Sequence, residues 1–218
     1  MTAPWEGDRV TPVSSDEELM KEFGETSDPA PFEILVGRHT SSAYRTALAI
    51  LGAHHDAEDA VQECFLRAMR ARRSFRPDMR FAVWLFAILR NICRDHNRRC
   101  VRATSAAARQ APRELGLDAD LEAARGEEVG GALAAFAELP DTQREILALR
   151  IYEGLGFAEI AAICGVSEEA AKKRAQRGLD RLRRSLGAHA TAVPAASRRA
   201  RTEADVPDAV AALGLYAT

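Results

Sequence analysis

Lys172, Lys173, Arg174, Gln176 and Arg177 fall within six consecutive positions. Lysine and arginine neutralise phosphates, and arginine and glutamine can also make paired hydrogen bonds to base edges. The residues just before them set up a turn. Ile160 and Ala161 belong to an apolar stretch, Gly165 permits a positive φ, Val166 can pack inward, and Ser167 can cap the helix that follows. Ala161, Gly165 and Ala171 are small where two helices must meet closely. This spacing predicts a helix-turn-helix over Phe157–Leu182 whose second helix presents the basic residues. An ordinary helical hairpin with a solvated basic face would show the same pattern.

A second constellation lies in Phe75–Arg99, FRPDMRFAVWLFAILRNICRDHNRR. Phe81, Trp84, Leu85, Ile88 and Leu89 form one apolar stripe, and core packing is the reading for Trp84. Arg90, Asn91, Arg94, Asp95, Arg98 and Arg99 recur on another side. Asparagine is a poor mid-helix residue, so Asn91 either pairs with a base edge or bonds locally. A basic helix beside a loop containing Pro77 can hold a separated strand, with phosphates on arginine and unstacked bases in the loop.

The net charge of −2 conceals an uneven distribution. Residues 1–63 carry 13 Asp/Glu against 4 Lys/Arg, whereas residues 67–102 carry 11 Arg against 2 acids. Residues 167–186 carry 7 Lys/Arg against 3 acids. Polyanions bind such patches rather than averages. Cys64, Cys93 and Cys164 sit among apolar residues at helical spacing and read as small buried hydrophobes. Cys100, in a basic run, reads as exposed. No histidine, His54 and His55 included, has metal-ligand spacing. Neither a glycine-rich phosphate loop nor a nucleophile–base pair is present, so no catalytic residue, metal or cofactor is expected. No stretch suits a signal peptide or a membrane helix. The expectation is a soluble, cytoplasmic protein without membrane insertion.

The elements that position these residues are all helical. Residues 1–14 read as a disordered leader. Ser15 and Glu18 have the spacing of a capping box. The helix it starts is interrupted near Asp28–Pro31, resumes from Phe32 and ends at Gly52. A helix from Asp56 brings Ala57, Ala60, Val61, Cys64, Phe65, Ala68 and Met69 onto one apolar face, with Glu58, Asp59, Gln62 and Glu63 lying away from it. A loop at Ser74–Asp78 leads to a helix over Phe81–Arg99. Residues 100–131 read as a linker. Helices are then expected up to Glu138, over Asp141–Tyr152, over Phe157–Cys164 and over Glu168–Leu186. The tail 187–218 reads as mostly disordered, with one amphipathic stretch at Asp205–Tyr216. The fold class is all-α, with two small helical domains, 15–99 and 132–186, joined by a flexible linker.

Together these blocks resemble the extracytoplasmic-function sigma factors of bacterial RNA polymerase. DAEDAVQECFLRA (Asp56–Ala68) is similar to that family's most characteristic helix. FRPDMRFAVWLFAILRNICRD resembles its promoter-melting segment, and ELPDTQREILALRIYEGLGFAEIAAICGVSEEAAKKRAQRGLDRLR (Glu138–Arg183) resembles its C-terminal domain. The resemblance covers about 16–99 and 132–186, in the family's order. It implies a promoter-specificity subunit whose partners are core RNA polymerase, promoter DNA and an anti-sigma protein. The chain is expected to be a monomer when free, held inactive by packing of its two domains or by the anti-sigma protein.

Roles follow by position. Asp59, Gln62 and Glu63 would dock on the polymerase clamp. Phe75, Arg76 and Arg80 in the loop, with Asn91, would take the flipped base of the −10 element, and Arg90, Arg94 and Arg98 its strand phosphates. Lys172, Lys173, Arg174, Gln176 and Arg177 would read the −35 element. Asp118, Asp120, Glu122, Glu127 and Glu128 of the linker would mimic nucleic acid. The chain departs from the family at Ala170, Ala171 and Ala175, where larger or β-branched residues are usual, and at Pro77, where glycine is common. A decoy for anti-sigma protein would not need both basic patches. A simple helix-turn-helix repressor would not need residues 56–99 in this form.

Overall fold

The computed structural model describes residues 14–106 and 135–192, with side chains for 14–100 and 135–186. Among the described residues every regular element is a helix. The leader, most of the linker with its acids, and Asp205–Tyr216 lie outside the described residues.

Helix α1 spans Asp16–Thr26. Its first turn is closed by the expected capping box: Glu18 N donates to Ser15 Oγ at 3.2 Å, and Ser15 N to Glu18 Oε2 at 2.9 Å. Helix α2 spans Pro29–Leu51. The expected interruption is present at Ser27–Asp28, and the prolines open α2, which resumes at Pro29, three residues before the expected Phe32. Asp28 caps it through Ala30 N at 3.1 Å, and Pro29 occupies a first-turn position where a missing N–H costs no helical hydrogen bond. Gly52, at φ +76°, terminates α2. Asp16 ties α1 to α2 through Arg38 at 2.6 Å and His39 at 2.7 Å. Burial alone would raise the Asp16 carboxyl, but these two partners more than offset it and hold it below the ordinary value.

Helix α3 spans His54–Arg70, starting before the expected Asp56, and a 3-10 turn at Arg72–Ser74 follows. Helix α4 spans Phe81–Ala106, past its expected end at Arg99. Its start is anchored from α1, since Phe81 N donates to Glu17 Oε1 at 2.9 Å. Met20, Leu35, Ile50, Phe81, Phe86 and Leu89 are fully buried and centre the N-terminal core. Phe23 stacks on Phe32 with ring centroids 4.8 Å apart.

Residues 135–137 form a helical turn before Pro140. Helix α5 spans Asp141–Glu153, α6 Phe157–Cys164 and α7 Glu168–Ala192. The last runs beyond the expected Leu186. Helix α5 is enclosed on all sides: every residue from Gln143 to Leu149 is buried, the polar Gln143, Arg144 and Glu145 included. One flank packs on α7, the other on α2 and α4 of the N-terminal unit. The two helical units therefore share an interface.

Cys64, Cys93 and Cys164 are buried and Cys100 is exposed, as their sequence contexts indicate. Burial pushes the Cys64 thiol up to about 12 and raises Cys93 and Cys164 as well, so none is a ready thiolate. Among the described residues no helix is long and apolar enough to cross a membrane.

Candidate nucleic-acid interface

The helix-turn-helix forms as its residues dictate. Gly156 N donates to Glu159 Oε2 at 2.8 Å at the start of α6. Gly165 takes φ +65° in the turn, Val166 N donates to Ala161 O at 3.1 Å, and Ala170 N donates to Ser167 Oγ at 3.2 Å. Ala171, Ala175 and Gly178 form a buried stripe of small residues down α7. A Cβ on Gly178 would lie 2.8 Å from Leu147 Cδ1 of α5. The small side chains let α7 approach α5 closely, which is what alanine does at positions where larger residues were expected.

The opposite face of α7 is exposed. It carries Lys172, Lys173, Gln176 and Arg177, with Arg174 half-buried beside them. Lys172 pairs with Glu168 and Lys173 with Glu169, both at 2.6 Å, and Gln176 bonds Asp180 at 3.1 Å. These are exposed one-turn pairs, individually weak and readily exchanged for a phosphate.

Helix α4 and the loop before it carry the second basic set. Arg76, Arg80, Asn91 and Arg98 are exposed and Arg94 is half-buried. Two expected strand contacts are enclosed instead. Phe75 is buried, its ring 5.4 Å from Trp84 and 6.0 Å from Phe81, because an aromatic at the loop entrance completes the apolar stripe of α4. Arg90 is buried beneath the C-terminal unit. Its Nε donates to Glu145 Oε2 at 3.0 Å, and its terminal nitrogens donate to the carbonyls of Ile163 and Cys164 at 3.4 Å each. The guanidinium thus also caps the C-terminal end of α6, where a cation is favoured.

The same interface holds two further carboxylates. Arg80 bonds Glu159 at 2.6 Å. Thr46 of α2 donates to Glu153 Oε1 at 3.0 Å. Burial pushes the Glu153 carboxyl up to about 7, although hydrogen bonds from Thr46 and Ser42 and the charge of Arg45 pull the other way. On α3, Asp59 and Gln62 are exposed, and Glu63 bonds Arg67 at 2.7 Å, which holds its carboxyl below the ordinary value.

Comparison with known proteins matches both helical units. The family model Sigma-70 region 2 matches residues 35–103, and Sigma-70, region 4 matches residues 132–182. The chain is 33% identical over 186 residues to the ECF RNA polymerase sigma factor SigE of Mycolicibacterium smegmatis, covering 78% of this chain and 68% of that one. It is 32% identical to the RNA polymerase sigma factor CarQ of Myxococcus xanthus, covering 77% and 95%. The chain belongs to the extracytoplasmic-function sigma factors.

Among solved structures, this sigma factor is similar to CnrH in complex with the cytosolic domain of CnrY, with TM-score 0.60, 27% identity and coverage of 80% of this chain and 99% of that one. It is also similar to the sigma factor RpoE in complex with the anti-sigma factor NepR from Bartonella quintana, with TM-score 0.59, 25% identity and coverage of 72% and 96%. Sigma factors direct RNA polymerase to promoters, and the two basic helices of this sigma factor lie one in each of the two stretches that the family models match.

Sequence reasoning missed Glu145, Glu153, Glu159 and Thr46, which build the interface between units. A signal existed for Glu145. It follows Gln143 and Arg144 at the head of a run, Ile146–Leu149, too apolar for any side of the helix to face water. Gly178 was also passed over, because a glycine inside a charged helix reads as tolerated when its neighbour across the interface is unknown.

Proposed function

We propose that this sigma factor, free of polymerase, rests in the closed arrangement described above, and that it opens on core RNA polymerase to read both promoter elements. The exposed α3 side chains Asp59, Gln62 and Glu63 meet the polymerase clamp. Asn91, Arg94 and Arg98 of α4, with Arg76 and Arg80 of the loop, hold the −10 strand. Arg90 joins them once the units part. Lys172, Lys173, Arg174, Gln176 and Arg177 read the −35 element in the major groove, with Gln176 and the arginines addressing bases and the lysines phosphates. The protein acts in the cytoplasm and catalyses no reaction of its own.

The observation that carries this reading is the exposed basic face of α7 in a helix-turn-helix, combined with the arginines of α4 in the preceding unit. An anti-sigma protein controls the chain. Support for that partner comes from the two similar structures, one of them a sigma factor bound to an anti-sigma factor. Incubation with core RNA polymerase and a randomised promoter library, followed by sequencing of the bound fragments, tests the proposal. Enrichment of one paired −10 and −35 sequence is expected. Recovery of fragments without any enriched element would overturn it.

A further inference from the structure

Of the four cysteines, only Cys100 is exposed. Its sulfur lies 3.7 Å from Nδ1 of His96, one turn back on α4, and 3.9 Å from Nε2. On α3, Asp56 Oδ1 lies 3.3 Å from that Nε2. The carboxylate favours a proton on Nε2, which leaves Nδ1, the nitrogen nearer sulfur, to accept one from the thiol. A nucleophile, a base and a group that orients the base thus stand in line, all within reach of solvent. Sequence reasoning missed this pair, because an α4 ending at Arg99 leaves Cys100 off the helix that sets it one turn from His96. His96 and Asp56 also line an open hollow of about 320 Å³ between α3 and α4, at the small end of sites that hold small organic molecules. Its other charged walls are Asp59, Glu63 and Arg67 of α3 and Arg99 of α4.

We propose that Cys100 is a thiol–disulfide exchange site for a low-molecular-weight disulfide bearing carboxylates, and that the adduct it forms obstructs docking on polymerase. The thiol passes its proton to His96 Nδ1, Asp56 stabilises the imidazolium, and the thiolate attacks one sulfur of the disulfide. A new S–S bond to Cys100 forms as the small molecule's own S–S bond breaks. Cys100 is oxidised. The departing half is reduced to a thiolate and takes the proton back from His96. Arg99 suits carboxylates on the incoming molecule. Cys64, Cys93 and Cys164 are buried, so the adduct stays until an external thiol reverses the exchange. The obstruction rests on the reading of Asp59 and Glu63 as clamp-docking residues, because both are walls of the hollow beside which the adduct forms.

The full chain, reduced and then exposed to oxidised glutathione as the probe, tests both halves. Peptide mass spectrometry should place one adduct on Cys100, and none should form in Cys100→Ser. At neutral pH, His96→Gln should slow adduct formation by about tenfold, because an unassisted thiol is only a few per cent thiolate there. In alkaline solution the two rates should converge, since hydroxide then removes the proton without help. Equal rates at neutral pH, or a loss of the same size at every pH, would overturn the role of His96. No adduct, or one that forms first on a buried cysteine, would overturn the site. The adduct should weaken binding to core RNA polymerase by about tenfold, the scale on which a central interface position counts. Excess dithiothreitol should restore binding, and Cys100→Ser should bind as the wild type does and ignore the probe. An adduct that leaves polymerase affinity unchanged would overturn the obstruction, and Glu63→Ala then locates the fault. If that variant binds polymerase weakly, the clamp reading of α3 stands and only the obstruction fails. If it binds normally, that reading fails with it.

Discussion

Arg90 Nε lies 3.0 Å from Glu145 Oε2, and the two side chains are buried between α4 of one helical unit and α5 of the other. Two charges taken out of water gain stability together only when their remaining hydrogen-bonding capacity is met, and removing one leaves the other uncompensated. The Ile163 and Cys164 carbonyls supply that remainder for Arg90. Arg90→Ala or Glu145→Ala is therefore expected to weaken the packing of the units by about 3–5 kcal/mol, whereas the apolar double variant Arg90→Met, Glu145→Leu should cost far less. A double-mutant cycle on denaturant unfolding reads the coupling. Strictly additive losses would show that the pair is not a unit.

Glu153 makes the closed arrangement sensitive to pH. Its carboxyl is raised from 4.5 to about 7 by burial at the interface. The closed form thus binds a proton that the open form has released, and its stability, full below the ordinary carboxylate range, is lost as the pH rises through about 7. Hydrogen exchange across α2 and α5 is expected to quicken over that window. In Glu153→Gln, which keeps the hydrogen-bonding shape without ionising, the dependence should flatten. A wild-type interface with no such dependence would remove Glu153 from the account.

On α7, Lys172 is exposed and pairs with Glu168 one turn away. If it contacts a phosphate, Lys172→Ala should lower the salt slope of −35 binding by about one unit with sequence preference unchanged. Gln176→Ala should instead relax base preference. An unchanged salt slope for the lysine variant would reassign it.

Asn91 is exposed on α4. Asn91→Ala is accordingly expected to leave the melting temperature of the free protein unchanged, or to raise it slightly from better helix propensity, by less than about 1 kcal/mol. Its effect should be on −10 base preference and strand separation, read by permanganate reactivity of the promoter. A variant that altered stability alone would make Asn91 structural.

Gly178 faces Leu147 with no room for a branched side chain. Gly178→Val should destabilise the C-terminal unit by about 1–3 kcal/mol through overpacking, despite glycine's poor helix propensity. Thermal unfolding measures it, and a stabilised variant would mean that α5 and α7 pack less closely than described.

Most of the fold was legible because its signals are local. The Ser15–Glu18 capping box, the Gly165–Ser167 turn and the apolar period of α3 and α4 each depend on residues within a few positions. The exposed basic face of α7 followed from the same periodicity. What escaped was set by partners far along the chain. Arg90 reads as a free cation until Glu145, 55 residues later, covers it. Phe75 reads as a base-stacking residue until the ring of Trp84 closes on it. The break before α2 was legible, but Pro29–Pro31 read as part of it because position within a first turn cannot be told from position within an interruption without the Asp28 cap geometry. The ends of α4 and α7 ran long because their last turns, made mostly of small and polar residues, carry no apolar period to mark them.

The central claim is that this chain directs promoter-dependent initiation through both basic helices, and run-off transcription with purified core RNA polymerase tests it most directly. Adding the chain should produce discrete transcripts from templates bearing the selected −10 and −35 pair. Scrambling either element, or combining Asn91→Ala with Lys172→Ala and Arg177→Ala, should abolish them. Core polymerase that gives no promoter-dependent transcript with the chain, or transcripts indifferent to both elements, would contradict the account.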